Sequence, residues 1–265
     1  MFTINLHFTD FCNFRCKHCF VNKENKELSF ENTKIIIDKI VQYKNLHNEE
    51  VRINLAGGEP LVSHNIQKII DYAYDSKLEV SIITNGYYLN QYFVENNKNK
   101  LSMIGISVDS INDNTNIKIG RCCNKKTISE KELIDICRII KDNGIKLKIN
   151  TCVTSLNRDE NISSFLEKVK PDKTKVLRAF CDKNNSQYNI SDDEWNKVIE
   201  RYENVFYEDN DYMKNHYIIV DSSGNLSRNN LHIDNNSLID NSLEECLSKA
   251  GFLKSRKVVP QYENL

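Results

Sequence analysis

Cys12-Asn13-Phe14-Arg15-Cys16-Lys17-His18-Cys19 is the stretch on which the reading of this chain turns. Its cysteines are spaced C-x3-C-x2-C on what reads as a loop directly after a first strand at 3–8. Three thiolates so close together can bind three irons of a 4Fe–4S cube. The fourth iron is then left open to a small molecule, and an open iron beside a reductant points to chemistry rather than scaffolding. The competing reading is a structural zinc site. Zinc usually takes four protein ligands, with a second Cys pair or a His pair downstream, and no such pair follows. His18 lies inside the loop, where joining it and its flanking thiols on one tetrahedral ion would be strained.

Outward from this loop, strand and helix patterns alternate. Strands are expected at 3–8, 51–55, 79–84, 103–109, 145–150 and 174–180. Ser29 reads as the N-cap of a helix running to about Tyr43. Ile66, Ile69, Ile70 and Ala73 recur at helical spacing, as do Leu133, Ile136, Cys137 and Ile140, and Ile162, Phe165, Leu166 and Val169. Six βα units predict a parallel sheet with right-handed crossovers. Beyond it, Trp195, Val198, Ile199, Tyr202 and Phe206 predict a further helix, 216–220 a hairpin strand, and 242–250 a last short helix. The expected fold is α/β, a partial (βα)6 TIM-type barrel over 1–205 with a short C-terminal extension, 206–265, packing on the same domain.

Side chains alternate along a strand, and these strands have one apolar and one polar face. Val51, Ile53 and Leu55 oppose Arg52 and Asn54; Ile104, Ile106 and Val108 oppose Gly105, Ser107 and Asp109. Ile145, Leu147 and Ile149 oppose Lys146, Lys148 and Asn150, while Ile4, Leu6 and Phe8 oppose Asn5 and His7. A closed barrel fills its interior with branched apolar residues; polar inner faces describe a substrate cavity instead, or, for any one strand, a face open to solvent. Lys175 and Arg178 have opposite parity, so only one can point inward without a bulge. Arg52, Lys148 and Lys175, with Arg121 on a loop and Lys125 and Lys126 just beyond it, form a set of inner cations. Uncompensated cations in a cavity are costly unless an anion meets them, and Arg forks suit phosphate oxygens, so a polyphosphate substrate is expected.

Charged residues make up 28% of the 265 and the net charge is −1, which argues against a general nucleic-acid binder. The nine cysteines lack the even pattern of a secreted disulfide framework. Cys137 and Cys152 read as core residues. No signal peptide, membrane span or anchor helix is legible, so a reducing cytoplasm is the expected compartment, with no membrane partner and a monomeric state.

The cysteine loop after the first strand, followed by Gly57-Gly58-Glu59-Pro60 after the second, resembles the radical S-adenosylmethionine (SAM) superfamily. The resemblance implies a 4Fe–4S cluster on Cys12, Cys16 and Cys19 and SAM on its open iron. By it, Gly57, Gly58 and Glu59 meet the SAM amino group, Thr84, Asn85, Ser107 and Asp109 its ribose and carboxylate, and Asn150 makes a further SAM contact. His18 departs from the pattern, which usually has an aromatic residue there. Within that superfamily the chain is similar to the viperin family and its prokaryotic members, the SAM-dependent nucleotide dehydratases. The matching stretches include Leu6-His7-Phe8-Thr9, Ile53 to Pro60, Ile106 to Ser110, Ile119-Gly120-Arg121, Lys148-Ile149-Asn150, Lys175-Val176-Leu177 and Tyr217 to Asp221.

This likeness implies a radical SAM lyase that converts CTP, GTP or UTP to its 3′-deoxy-3′,4′-didehydro analogue, an antiviral chain terminator. It implies an electron donor such as a flavodoxin or ferredoxin system. Arg52, Arg121, Lys148 and Lys175 would hold the triphosphate, with Asn5, His7 and Asn54 also on the substrate side and base preference set near Asn5, His7 and 178–190. Tyr217 stands where the family has a tyrosine proposed as late hydrogen donor; it reads equally as a hairpin core residue. Arg256 and Lys257 are weaker phosphate contacts. The alternatives are a radical SAM enzyme on another substrate, such as a GTP cyclase or peptide-modifying enzyme, and a non-enzymatic metal-binding module.

Overall fold

The computed structural model describes residues 2–21, 24–179, 185–209, 212, 216–228 and 233–252. Arg256, Lys257, Cys181 and part of the 178–190 loop lie outside the described residues. All six expected strands form: β1 (Phe2–Thr9), β2 (Val51–Gly57), β3 (Glu79–Thr84), β4 (Leu101–Ser107), β5 (Lys146–Val153) and β6 (Lys173–Arg178). Three shorter ones follow, β7 (Phe206–Glu208), β8 (Ile218–Val220) and β9 (Leu226–Arg228). β2-β1-β8-β9 form one run of neighbours and β7-β6-β5-β4 another, and among the described residues β7 and β9 each have a neighbour on one side, as open edges. The helices are α1 (Phe30–His47), α2 (Ile66–Asp75), α3 (Gln91–Asn97), α4 (Asp113–Ile119), α5 (Glu130–Asp142), α6 (Ser163–Val169), α7 (Asp192–Ile199) and α8 (Leu243–Lys249). Among the described residues no helix is long and apolar enough to cross a membrane.

The chain divides into two compact units, the first made of Met1–Phe11, Lys23–Ser81 and Lys214–Leu265, the second of Cys12–Asn22 and Ile82–Met213. In the first, β1 is flanked by β2 and β8, both parallel to it, with Ile4 opposite Ile53 and Ile218. Alternation decides the faces: Ile4, Leu6, Phe8, Val51, Ile53 and Leu55 are fully buried. Ser29 caps α1 by accepting from the Asn32 N–H. Ile36, Ile37 and Ile40 of α1, and Ile69, Ile70 and Ala73 of α2, bury one stripe of each helix, each large side chain contributing about 1.5–3 kcal/mol.

In the second unit β4, β5, β6 and β7 run parallel. Ser107 lies opposite Asn150, and Asn150 opposite Lys175, so these three share one row. Capping boxes at Ser129/Glu132 and Ser191/Glu194 start α5 and α7.

Two expectations need correction. The helix marked by Trp195 ends at Ile199; Asn204 turns the chain at a φ of 57°, and Phe206 belongs to β7, parallel to β6. Cys152 is not a core residue: it shares parity with Lys148 and Asn150 and is half-buried, whereas Cys137 is buried as expected. The parity conflict in β6 is resolved without a bulge. Lys175 stays in the polar row, while Arg178 reaches Asp192 and the Ile190 carbonyl at the start of α7.

Candidate active site

In the first unit, Gly57-Gly58-Glu59-Pro60 leaves the end of β2 against the end of β1. Gly58 and Glu59 donate their N–H groups to the Thr9 and Phe11 carbonyls, each at 2.8 Å. Gly57 has a φ of 127°, and a Cβ on Gly58 would stand 2.1 Å from the Phe11 carbonyl oxygen, so both positions require glycine. Glu59 is fully buried, and its Oε1 accepts from the Leu61 N–H. Asp10, which sequence reasoning passed over, is buried and accepts from the Glu24 and Lys26 N–H groups, fixing the return of the loop.

On the polar faces of β1–β3, Ser81 donates to Asn54 Oδ1 at 2.8 Å, and Asn54 Nδ2 donates to Asn5 Oδ1 at 2.8 Å. Asn5 Nδ2 in turn donates to the Ile218 carbonyl at 3.2 Å. Arg52 forks onto Glu79, with 2.8 Å from Nε and 2.6 Å from Nη2. His7 is driven down to about 4 by burial. Tyr217 is half-buried immediately before β8.

In the second unit, the cysteine loop is strapped to the segment after α4. Arg15 and Lys17 donate to the Gly120 and Ile119 carbonyls at 3.1 and 2.9 Å. Gly120 has a φ of 85°, and a Cβ there would meet the Arg15 carbonyl oxygen at 2.2 Å. The Phe14 N–H donates to Cys12 Sγ at 3.4 Å. Burial pushes the Cys16 thiol up to about 12, against the pull of Arg121 and with Asp109, Cys19 and Cys12 adding to the rise. Arg121 donates to Asp109 Oδ2 at 2.9 Å, to the Ser107 carbonyl at 2.7 Å and to Cys16 Sγ at 3.9 Å. Burial opposes its charge, but Asp109 and Cys16 outweigh that and raise its pKa above the ordinary arginine value. Asp109 is buried; its Oδ1 accepts from the Cys152 N–H, and His18 Nε2 lies 3.5 Å from its Oδ2.

Asn85, Ser107 and Arg121 line one cleft with Phe14, Ser110 and Asn116. Asn85 donates to Asn13 Oδ1 at 2.8 Å and accepts from the Tyr87 N–H, while Thr84 accepts from the Gly86 N–H.

The expectation of uncompensated cations does not hold. Arg52 pairs with Glu79, Arg121 with Asp109 and Lys175 with Glu208. Lys125 and Lys126 are exposed on a tight turn with Asn124 and Lys125 at positive φ. Glu79 and Ser81 carried a signal, alternating with Val80 and Ile82. Glu208 carried none, because its strand is three residues long.

The residues present fit the groups that the motifs imply. Three soft donors share one loop, with a backbone N–H and a guanidinium directed at two of the sulfurs. Asn150 Oδ1 is buried with no hydrogen-bond partner. Such an acceptor is costly to leave unmet, and a ligand hydroxyl or ammonium would meet it.

The model of the radical SAM superfamily matches residues 6–169. A protein of Selenomonas ruminantium named S-adenosylmethionine-dependent nucleotide dehydratase is 34% identical over 241 residues, covering 85% of each chain. One of the same name from Psychrobacter lutiphocae is 31% identical, over 85% of this chain and 82% of its own. The nucleotide dehydratase RSAD2 of Oncorhynchus mykiss is 27% identical, over 94% of this chain and 76% of its own. In fold, the chain is similar to Streptococcus suis SuiB bound to S-adenosylmethionine, with TM-score 0.71 and 15% identity over 96% of this chain and 67% of that one. It is similar also to anSMEcpe with bound AdoMet and Kp18Cys peptide, with TM-score 0.74 and 14% identity over 96% and 83%.

Proposed function

We propose, from the premise that this chain belongs to the radical SAM superfamily and within it to the S-adenosylmethionine-dependent nucleotide dehydratases, that it dehydrates a nucleoside triphosphate at the ribose. CTP, GTP and UTP are the candidate substrates, and the product is the 3′-deoxy-3′,4′-didehydro nucleotide, a chain terminator for viral polymerases. The observation that carries the reading is the C-x3-C-x2-C loop after β1 together with Gly57-Gly58-Glu59-Pro60 after β2. Cys12, Cys16 and Cys19 would hold a 4Fe–4S cluster, and Gly57, Gly58, Glu59, Thr84, Asn85, Ser107, Asp109 and Asn150 would hold SAM. Bound and reduced, that pair supplies a 5′-deoxyadenosyl radical able to take the 4′ hydrogen of the ribose.

The protein's own share is binding, orientation and exclusion of water. Two electrons and a proton enter for each SAM cleaved; the 4′ hydrogen leaves in 5′-deoxyadenosine and the 3′ hydroxyl leaves as water. Arg52, Arg121, Lys148 and Lys175 bind the triphosphate, three of them exchanging or sharing a carboxylate to do so. Asn5, Asn54 and His7 face the nucleoside. In the Asn5–Asn54–Ser81 chain each amide has one N–H committed, which leaves a second donor on each for substrate. Tyr217 would supply the second of those electrons together with the proton, as a hydrogen atom, and be restored by the external reductant. Residues 206–265 act as an extension of the same domain. A flavodoxin or ferredoxin supplies electrons in the cytoplasm to a monomer.

The test is anaerobic reconstitution with iron and sulfide, then SAM and dithionite with CTP, GTP, UTP and ATP separately, read by mass spectrometry. The expected result is one triphosphate that raises 5′-deoxyadenosine and loses the mass of one water. Equal 5′-deoxyadenosine with and without every nucleotide would overturn the dehydratase.

A further inference from the structure

We propose that Arg121 is a positioning residue for the electronics of the cysteine loop: held by Asp109 and Ser107 with its charge against the Cys16 sulfur, it favours the reduced, more negative state of the cluster. The inference rests on the cluster reading given above and adds a role that a phosphate-binding arginine would not have.

Geometry separates the two roles. Arg121 Nη2 donates to the Ser107 carbonyl at 2.7 Å and Nη1 to Asp109 Oδ2 at 2.9 Å. The same Nη1 lies 3.9 Å from Cys16 Sγ, and the guanidinium carbon is 5.9 Å from the Phe14 ring centroid. Each terminal nitrogen thus has a protein acceptor that fixes the guanidinium beside the sulfur, while its remaining N–H groups are left for a phosphate. The arrangement is also fixed in distance. The N–H groups of Arg15 and Lys17, on either side of Cys16, are bonded to the carbonyls of Gly120 and Ile119, directly before Arg121. Sulfur and guanidinium are thus carried on two segments tied together by their backbones.

Burial gives the charge its leverage. The Arg121 side chain is 11% exposed and that of Asp109 2%, so water screens them weakly. Reduction adds one electron to a cluster. A cation close to a ligating sulfur, donating toward it, lowers the cost of that electron, and net charge and hydrogen bonds to sulfur are what set the potential of such clusters. Asp109 works in the opposite direction: it anchors Arg121 but cancels part of its field. The pair accordingly predicts opposite signs for its two members, which a merely structural role would not produce.

The experiment is an EPR-monitored redox titration of the reconstituted holoenzyme at one pH, without SAM or nucleotide, on wild type, Arg121→Gln and Asp109→Asn. Iron and sulfide per chain are measured on each sample. Arg121→Gln is expected to lower the reduced-to-oxidised ratio at a fixed potential about tenfold, equivalent to about 59 mV for a one-electron couple. Asp109→Asn, which retains an oxygen for the Cys152 N–H, is expected to raise the ratio. A loaded Arg121→Gln with an unchanged ratio overturns the proposal, as does a fall in Asp109→Asn. Should Arg121→Gln not load, Asp109→Asn decides alone. A wild type that binds no iron or sulfide would instead bring down the cluster reading, and this inference with it.

Discussion

Glu208, in the three-residue strand β7, closes on the ammonium of Lys175 in the neighbouring strand β6. The Glu208 side chain is 4% exposed and that of Lys175 16%. Removing one partner of a buried pair strands the other, at a cost of about 3–5 kcal/mol. Lys175→Met should therefore cost about 3 kcal/mol of stability, and the double variant Lys175→Met/Glu208→Gln should recover most of it. Urea unfolding around the full double-mutant cycle measures the coupling. A loss in the double variant equal to the sum of the two single losses would show that the pair does not matter to folding.

Arg52 and Glu79 form the same kind of pair in a wetter place, 21% and 33% exposed. Breaking it should change stability by less than about 1 kcal/mol. The effect is expected on substrate instead. Arg52→Ala should raise the KM for the triphosphate roughly tenfold, about 1.4 kcal/mol of binding. Glu79→Gln, which frees the arginine, should lower it, and kcat should stay within about twofold in both, the signature of uniform binding. Both variants should bind iron as wild type does. Steady-state kinetics decide, and a rise in KM for both variants would defeat the assignment.

Gly120 is needed for space as well as for backbone angle. Its φ is 85°, and a Cβ would press to 2.2 Å of the Arg15 carbonyl oxygen, between two cysteines of the loop. Gly144 has a similar φ of 74°, but a methyl added there would meet nothing within 4 Å. Gly144→Ala should cost only the left-handed backbone strain, about 1–2 kcal/mol, and leave cluster loading intact. Gly120→Ala should lose more than half of the iron and sulfide bound per chain. Colorimetric iron and sulfide after reconstitution compare the two, and equal loading would separate Gly120 from the cysteine loop.

The strands were legible because β1, β2 and β5 alternate along most of their length, as in Ile4-Leu6-Phe8, and β3, β4 and β6 follow at the same spacing between helical stretches. Phe206 misled because an apolar residue four after Tyr202 fits helical spacing, while a three-residue edge strand has no period of its own. At the site, the motif residues were readable one by one, since Gly58 and Gly120 are fixed by local crowding. The partners of the cations were not. Asp109 and Glu208 meet Arg121 and Lys175 across 12 and 33 residues of sequence: the pairing of β6 with β7 brings Glu208 to Lys175, and the turn after α4 brings Arg121 back to Asp109. A sequence shows which side chains are charged; the sheet decides which charges are already spent.

His7, on the polar face of β1, gives the chain a defined response to acid. Burial lowers its pKa from 6.5 to about 4, so the folded state resists the proton. The unfolded chain titrates near 6.5. Above that pH both states carry a neutral ring and the full stability is present. As pH falls from 6.5 toward 4 the unfolded state binds the proton first, and stability declines by about 1.4 kcal/mol per pH unit. Below about 4 both states are charged and the decline stops. Between pH 7 and pH 5 this one group should remove about 2 kcal/mol. His7→Asn keeps a polar side chain of similar reach but cannot titrate, so its stability should fall less over the same interval by that amount. Urea unfolding of both proteins at pH 7, 6 and 5 isolates the term, because every other titrating group is common to the pair. A difference between the two that stays constant from pH 7 to pH 5 would mean that the buried ring accepts its proton as readily as a free histidine.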